Sequence, residues 1–326
     1  MWKVFLTRIG RNMTGKEVIS IVIPVYNREK IVGRTLESVR EQTYRPLHLV
    51  LVDNNSSDGT LRWLEAWKVA NEREGFRITV VSETKPGAAA ARNRGLREVT
   101  TGKLVFFDSD DEMGRDMIAA GMEVFHRNPD AEFVYWRHER ECMGGGVRRS
   151  HFTTGDKMEC HLVHALLNTS SYMVKTEYLR KIGGWDEDTR VWDDYELGVR
   201  MLLPSVKSVG IDRMLYTVKS QEMSITGTEF SSRAGEWEKA LDKIERDIAA
   251  SGCADRDRLL RIVDYRRIIL AAHYAKEGSR EIADKLKYTT LSGARLSCVR
   301  KIMLRFAYAY TRHGGRGAWL LLSRFI

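Results

Sequence analysis

The chain is poor in cysteine and lacks the spacings that would make cysteine structural. Cys142, Cys160, Cys253 and Cys298 are scattered through 326 residues with no Cys-x-x-Cys pair, which excludes a disulfide framework and reads as reduced thiols in a cytoplasmic protein. His161 and His164 stand near Cys160, but without the second ligand pair of a closed zinc site. No apolar run reaches the roughly 18 residues of a transmembrane helix. The opening residues, MWKVFLTRIGRNMTGKE, lack the apolar centre and cleavage site of a secretory signal. No repeat or low-complexity tract is visible, which sets aside solenoids and fibrous arrays. Acidic residues are missing between Leu286 and Ile326, where eight Lys and Arg stand; this stretch carries most of the net charge of +9. Such an asymmetry suits an anionic partner: a membrane surface, nucleic acid or a phosphate-rich substrate.

What is present is ordinary for a soluble globular enzyme, at 43% hydrophobic and 30% charged residues. The length allows two compact domains, or one large α/β domain with an appendage. Val18–Val25 (VISIVIPV) and Leu47–Asp53 (LHLVLVD) are apolar runs of the kind that parallel strands buried on both faces require. Helical spacing follows at 31–42 and 60–73, and 77–82, 88–99 and 103–108 read as strand, helix and strand. Short turn-rich connections join them, so right-handed βαβ units and a mostly parallel sheet with helices on both faces are expected. The region 116–228 is less regular, with helices at 115–128, 176–182 and 194–203 and a strand at 131–136. Beyond residue 229 the pattern is helical and basic.

In an open parallel sheet, ligands sit at the carboxyl ends of the strands. Three polar clusters fall there: Pro24-Val25-Tyr26-Asn27, Asp53-Asn54-Asn55-Ser56-Ser57-Asp58 and Asp108-Ser109-Asp110-Asp111. Three carboxylates within four residues repel one another unless a cation sits among them, and hard oxygen ligands suit Mg²⁺ or Mn²⁺. A solvated turn capping the next helix is an equal reading of the same residues. Gly87 followed by Ala88–Ala91 has no Gly-x-Gly-x-x-Gly pattern, so close packing of that helix on the sheet accounts for it better than a dinucleotide loop.

The strings at 18–29, LVDNNSSDGT at 51–60, KPGAAAARNRGL at 85–96, VFFDSDDE at 105–112 and WDDYELGVR at 192–200 resemble, in order and spacing, the family-2 glycosyltransferases of GT-A fold. The resemblance runs over about residues 18–225. It implies that Pro24, Tyr26, Asp53 and Asn54 hold the base and ribose of a nucleotide-sugar donor. Arg92 then lies near the base and diphosphate, Asp108 and Asp110 match the metal-binding DxD with Ser109 between them in the donor set, and Asp194 matches the base of inverting members. Trp185, Asp186 and Asp193 become acceptor candidates, with Trp136, His151 and Trp192 as further candidates for sugar contacts. Each has a plainer reading: Tyr26 as a strand-end aromatic, Arg92 as a surface cation pairing with Glu98, Asp193 and Asp194 as helix-capping acids, Trp185 as a core anchor. Two departures stand out. Asn54 replaces the second acid common in the family, which weakens the preference for uridine, and Lys219–Ser224 contains no histidine where some members place one.

The organisation this implies is an N-terminal extension at 1–17, a nucleotide-sugar-binding half at 18–115, an acceptor-binding half at 116–228 and a basic helical region at 229–326. The activity expected is inverting, metal-dependent transfer of a hexose or N-acetylhexosamine from a nucleotide sugar, UDP before GDP or TDP. The acceptor is a hydroxyl of a lipid-linked or polysaccharide molecule. A non-catalytic carbohydrate-binding protein of the same fold is the alternative from another class. Residues 286–326 join cations to apolar side chains, as a segment lying peripherally on the inner face of an anionic membrane would. A helical pair packed on the catalytic domain is the other reading, and no nucleic-acid recognition module is evident.

Overall fold

The apolar run near residue 20 forms strand β1 (Ile19–Val25), buried along nearly its whole length, as a strand covered on both faces must be. The structure, a computed structural model, describes residues 15–142, 144–152, 155–219 and 229–323. Strands β2 (Leu47–Asp53), β3 (Phe76–Ser82) and β4 (Lys103–Phe106) join β1 in parallel, in the order β3-β2-β1-β4. Helices α1 (Val32–Arg40), α2 (Thr60–Asn71) and α3 (Ala88–Glu98) make the crossovers. Val25 pairs with Asp53 and Asp53 with Ser82, so three strands end level with one another. That common edge is where the polar clusters lie.

Helix α3 sits unusually close to the sheet. Ala89, Ala90 and Ala91 are buried, and a Cβ on Gly95 would come 2.3 Å from Val22 Cγ1 and 3.1 Å from Val52 Cγ2. Gly87 starts the helix at φ +125°, a conformation open to glycine. Close packing is thus the reason for the Gly-Ala run.

Past β4 the sheet becomes mixed. It continues through β8 (Tyr172–Lys175), β6 (Phe133–Glu141), β9 (Ser208–Val218) and the short β5 (Glu112–Met113), and β7 (Val147–Arg149) pairs with the free end of β6. β8 is antiparallel to both β4 and β6, while β6 and β9 run parallel. The strand expected at 131–136 therefore extends five residues further, and β8 and β9 had no periodic signal to reveal them. Helix α4 (Met117–Arg127) ends just before Pro129, and α6 (Thr176–Lys181) follows β8. The fold is the mostly parallel α/β sheet that the strand–helix alternation implies.

Chain contacts define two units. Within the described residues, the first takes in 15–152, 167–190 and 206–219, and the second 155–166, 191–205 and 229–323. The second is helical: α5 (Lys157–His164), α7 (Asp193–Leu202), α8 (Ala234–Ala250), α9 (Arg256–Lys276), α10 (Arg280–Ser292), α11 (Cys298–Arg312) and α12 (Ala318–Leu322). This division cuts across the sequence boundaries at 116 and 229, because α5 and α7 bury Leu162, Val163, Tyr195 and Val199 in one core with Trp237, Leu241, Ile262 and Ile268. Helix α9 is buried around most of its circumference, charged Asp264 and Arg267 included, as a central helix is.

Candidate active site

At the end of β2, Asp53 is buried, and its Oδ2 accepts from the Ser56 N–H at 3.2 Å. Its Oδ1 is buried without a partner among the described residues, an arrangement that costs free energy unless an N–H or O–H is supplied from outside. Asn27, in left-handed backbone at the end of β1, accepts from the Ser57 N–H at 2.9 Å and ties the two strand ends together. Tyr26 is 56% exposed beside them, and Pro24 is a half-buried part of β1 itself.

Asn54 does something else. Its Nδ2 donates to the carbonyls of Glu83 and Lys85 at 3.0 and 2.8 Å, and its Oδ1 accepts from the Gly87 N–H at 2.8 Å. An amide can donate twice and accept once; a carboxylate cannot. The exchange of acid for amide here serves the loop that launches α3, so it carries no argument against uridine.

The acidic turn after β4 is held by its backbone. Thr35 Oγ1 of α1 lies 3.0 and 2.7 Å from the carbonyl oxygens of Ser109 and Asp111, Arg34 Nη2 donates to Asp110 O at 2.9 Å, and the Asp108 N–H donates to Ser170 Oγ at 3.1 Å. Sequence reasoning passed over Thr35, Arg34 and Ser170 because each lies far along the chain from the motif it steadies. Ser109 is buried, with its carbonyl spent on Thr35.

The three side chains point to different partners. Asp108 Oδ1 accepts from Arg92 Nη2 at 3.0 Å, Asp110 Oδ2 lies 3.6 Å from Arg28 Nη2, and Asp111 Oδ1 accepts from the Lys219 N–H at 3.2 Å. Burial, with the charges of Asp108 and Asp110, pushes Asp111 up to about 8. Burial also raises Asp108, against the pull of the Arg92 guanidinium. Among the described residues no three His, Cys, Asp or Glu side chains converge. Asp108 and Asp110 could hold a hard dication, which would relieve the mutual repulsion of these acids. Lys219 Nζ is bound to Glu141 at 2.7 Å and Glu112 at 2.9 Å; Ser220–Ser224 lie outside the described residues.

Arg92 is buried, and its guanidinium lies 4.4 Å from the centre of the Trp185 ring. Trp185 is 2% exposed and packs edge-on against Phe106 at 5.2 Å. The indole is thus the floor under Arg92, the core reading of that residue, and the arginine does not pair with Glu98, which Arg94 holds. Asn93 reaches the Trp185 carbonyl at 2.8 Å and Glu187 Oε1 at 2.9 Å, fixing the turn. Asp186 closes that turn by accepting from the Asp188 N–H at 3.0 Å. Trp136 is buried and donates Nε1–H to Ser170 O at 3.0 Å, while His151 is exposed.

Asp193 and Asp194 belong to the second unit, in the first turn of α7. Trp192 precedes them in left-handed backbone and packs on Tyr195 and Trp237, with ring centres 5.6 and 4.8 Å away. Asp194 Oδ1 accepts from the Tyr195 N–H at 2.8 Å, and Asp193 Oδ1 from the Asp194 N–H at 3.1 Å. A helix start favours carboxylates electrostatically. Glu196 is wholly buried and bound through both oxygens by Arg200 at 2.6 and 2.7 Å, so it is locked in structure.

A parallel sheet whose level strand ends carry a buried acceptor and an acidic turn places the polar groups of this α/β fold where open sheets of this kind take their ligands. The chain belongs to glycosyl transferase family 2, whose model matches residues 20–185, and it is a glycosyltransferase. It is 27% identical over 237 residues to an uncharacterized glycosyltransferase of Haemophilus influenzae, covering 70% of this chain and 76% of that one. It is 36% identical over 110 residues to the amylovoran biosynthesis glycosyltransferase AmsB of Erwinia amylovora, covering 33% and 36%. Among solved structures, S. aureus TarS in complex with UDP-GlcNAc superposes with TM-score 0.67 at 18% identity, over 91% of this chain and 92% of that one, a likeness of fold.

Proposed function

We propose that the protein is an inverting transferase that moves a hexose or N-acetylhexosamine from a UDP-sugar to a hydroxyl of a growing glycan or lipid-linked saccharide. The observation that carries this reading is the buried Oδ1 of Asp53, an acceptor set for a base or ribose donor group on the same sheet edge as Asp108 and Asp110. Kinship with an amylovoran biosynthesis enzyme and likeness to TarS bound to UDP-GlcNAc support the acceptor and donor classes.

Pro24, Tyr26 and Asp53 line the base and ribose, with Asn54 holding the neighbouring loop. Arg92, pinned on Trp185, keeps Asp108 oriented and offers positive charge to the diphosphate. Asp108 and Asp110 would hold a Mn²⁺ or Mg²⁺ ion, which would supply charge neutralisation for the nucleoside diphosphate leaving group. Asp194 takes the proton of the acceptor hydroxyl as the oxygen bonds to the anomeric carbon. A single displacement inverts that carbon, so one base suffices; Asp193 and Asp186 are assigned to acceptor contacts.

Attachment to an anionic membrane surface is part of this reading, for one reason. On α11, Val299, Ile302 and Phe306 are exposed and share the outward face with Arg305. Among the described residues no helix is long and apolar enough to cross a membrane.

The test is release of nucleoside diphosphate from a panel of UDP-, GDP- and TDP-sugars, with Mn²⁺ or with chelator. UDP-hexoses or UDP-N-acetylhexosamines are expected to turn over only with metal. Asp110→Ala should weaken metal-dependent UDP binding by about tenfold or more, the scale of a lost charged ligand. Equal UDP affinity of the variant and the wild type, with and without Mn²⁺, removes the metal assignment.

A further inference from the structure

The hairpin of β6 and β7 turns on Gly144, Gly145 and Gly146, whose φ angles are +88°, +93° and +89°. Three successive residues in that region of backbone are tolerable only as glycine, and the Cys142 N–H donates across the turn to Gly146 O at 3.1 Å. The turn therefore fixes the register, and the register sets Arg140 directly opposite Arg148. Like charges so placed destabilise a strand pair. The neighbouring position shows the usual solution, Glu139 opposite Arg149 and accepting its Nε–H at 2.8 Å. Arg140 and Arg148 are both exposed, and neither has an ion-pair partner among the described residues.

Arg140 is close to the acidic turn. β6 runs parallel to β9 with Arg140 paired to Val218, and the next residue, Lys219, donates its backbone N–H to Asp111. His138, on the same face of β6 as Arg140, lies with its ring 5.1 Å from that of Tyr216. The Arg140 charge is felt electrostatically at Asp108, Asp111 and Tyr216. Two arginines set opposite each other in the strand register, neither in an ion pair among the described residues, can offer a fork to a phosphate group, which arginine binds through two parallel N–H donors.

We propose that Arg140 and Arg148 clamp a phosphate carried by the acceptor, so that the substrate class is a phosphate-bearing glycan acceptor, a phosphodiester chain or a diphosphate-linked saccharide. The word acceptor rests on the glycosyltransferase reading above. The diphosphate of the donor has the same chemistry, and the experiment separates the two.

The full chain is saturated with UDP and Mn²⁺ and titrated with two probes: a fluorescent hexamer of glycerol phosphate, and phosphatidylcholine vesicles carrying a polyprenyl diphosphate. Uncharged maltohexaose is the control ligand. The proteins are the wild type, Arg140→Gln, Arg148→Gln, the double Gln variant, the double Lys variant, and Arg62→Gln on α2 as a control for net charge. Wild type is expected to bind at least one probe with an affinity that falls as salt rises. Each Gln substitution should cost about tenfold and the double variant about thirtyfold or more, with the Lys pair partly restoring binding and Arg62→Gln neutral. UDP affinity, titrated separately, should stay within about twofold in every variant, circular dichroism should match wild type, and melting should be equal to or slightly above wild type in the Gln variants, where the like-charge pair is relieved. The proposal is overturned if wild type binds neither probe, if the double Gln variant binds like wild type, or if UDP affinity falls in step with probe affinity. Failure of wild type to bind UDP counts against the donor site alone, because the arginine dependence of probe binding is read independently.

Discussion

The side-chain amide of Asn54 uses both hydrogens and its oxygen on three backbone groups between Glu83 and Gly87. In Asn54→Asp, two carboxylate–carbonyl contacts near 3 Å would replace hydrogen bonds, which at a buried site costs about 1–3 kcal/mol. Chemical denaturation should show that loss, together with weaker UDP binding, because the same loop starts the helix that carries Arg92. Unchanged stability would mean that the loop does not depend on the amide. Asp194 offers a cleaner separation of structure from chemistry. In Asp194→Asn the Oδ1 that caps the Tyr195 N–H survives, while the carboxylate proposed as the proton acceptor is lost. Turnover should fall roughly 10²-fold or more with UDP-sugar affinity within a few-fold, the scale of a missing general base. A near wild-type rate would move the role to Asp193, since Glu196 is held on both oxygens by Arg200.

At the scale of elements, the basic tail divides into two faces. Leu304, Ala307, Trp319 and Leu322 are buried in the helical core, whereas Val299, Ile302 and Phe306 look outward. Packing in the helical core accounts for the inner face, and the proposal of membrane attachment concerns the outer one alone. Truncation near residue 286 would open the core of the second unit, so point changes on α11 are the sounder test. Ile302→Glu with Phe306→Glu should abolish co-sedimentation with vesicles containing phosphatidylglycerol, while wild type binds these and binds neutral vesicles weakly, each nearby cation contributing about 1 kcal/mol. Equal sedimentation of both proteins, or indifference to lipid charge, would assign the outer face no membrane role.

For the whole molecule, acid stability depends on buried imidazoles. Burial lowers His48 and His161 to about 4, and His161 Nε2–H donates to the Tyr195 carbonyl at 2.8 Å, at the heart of the helical unit. The folded chain keeps such an imidazole neutral while the unfolded chain takes up a proton near pH 6.5. Its contribution is therefore intact above pH 6.5 and is lost as pH falls toward 4. His161→Gln keeps a donor for Tyr195 and removes the titration. Between pH 7 and 4.5 wild type should lose roughly 2–3 kcal/mol more than the variant, by the conversion of about 1.4 kcal/mol per pH unit. Parallel pH curves for the two proteins would show that His161 does not titrate in this way.

Local pattern alone determined the apolar strands β1 and β2, the crossover helices, the Gly-Ala packing of α3 and the strand-end clusters, because periodicity and strand termini are properties of neighbouring residues. The tertiary structure decided what depends on chain segments far apart. It inserted β8 antiparallel between β4 and β6, and it placed α5 and α7 with the C-terminal helices rather than with the sheet. It also gave Arg92 to Asp108 instead of Glu98, turned Trp185 into a floor and spent Asn54 on a loop. Each of these follows from the need to satisfy a buried charge or polar group with whatever partner the fold brings within about 3 Å, and no window of sequence contains that partner.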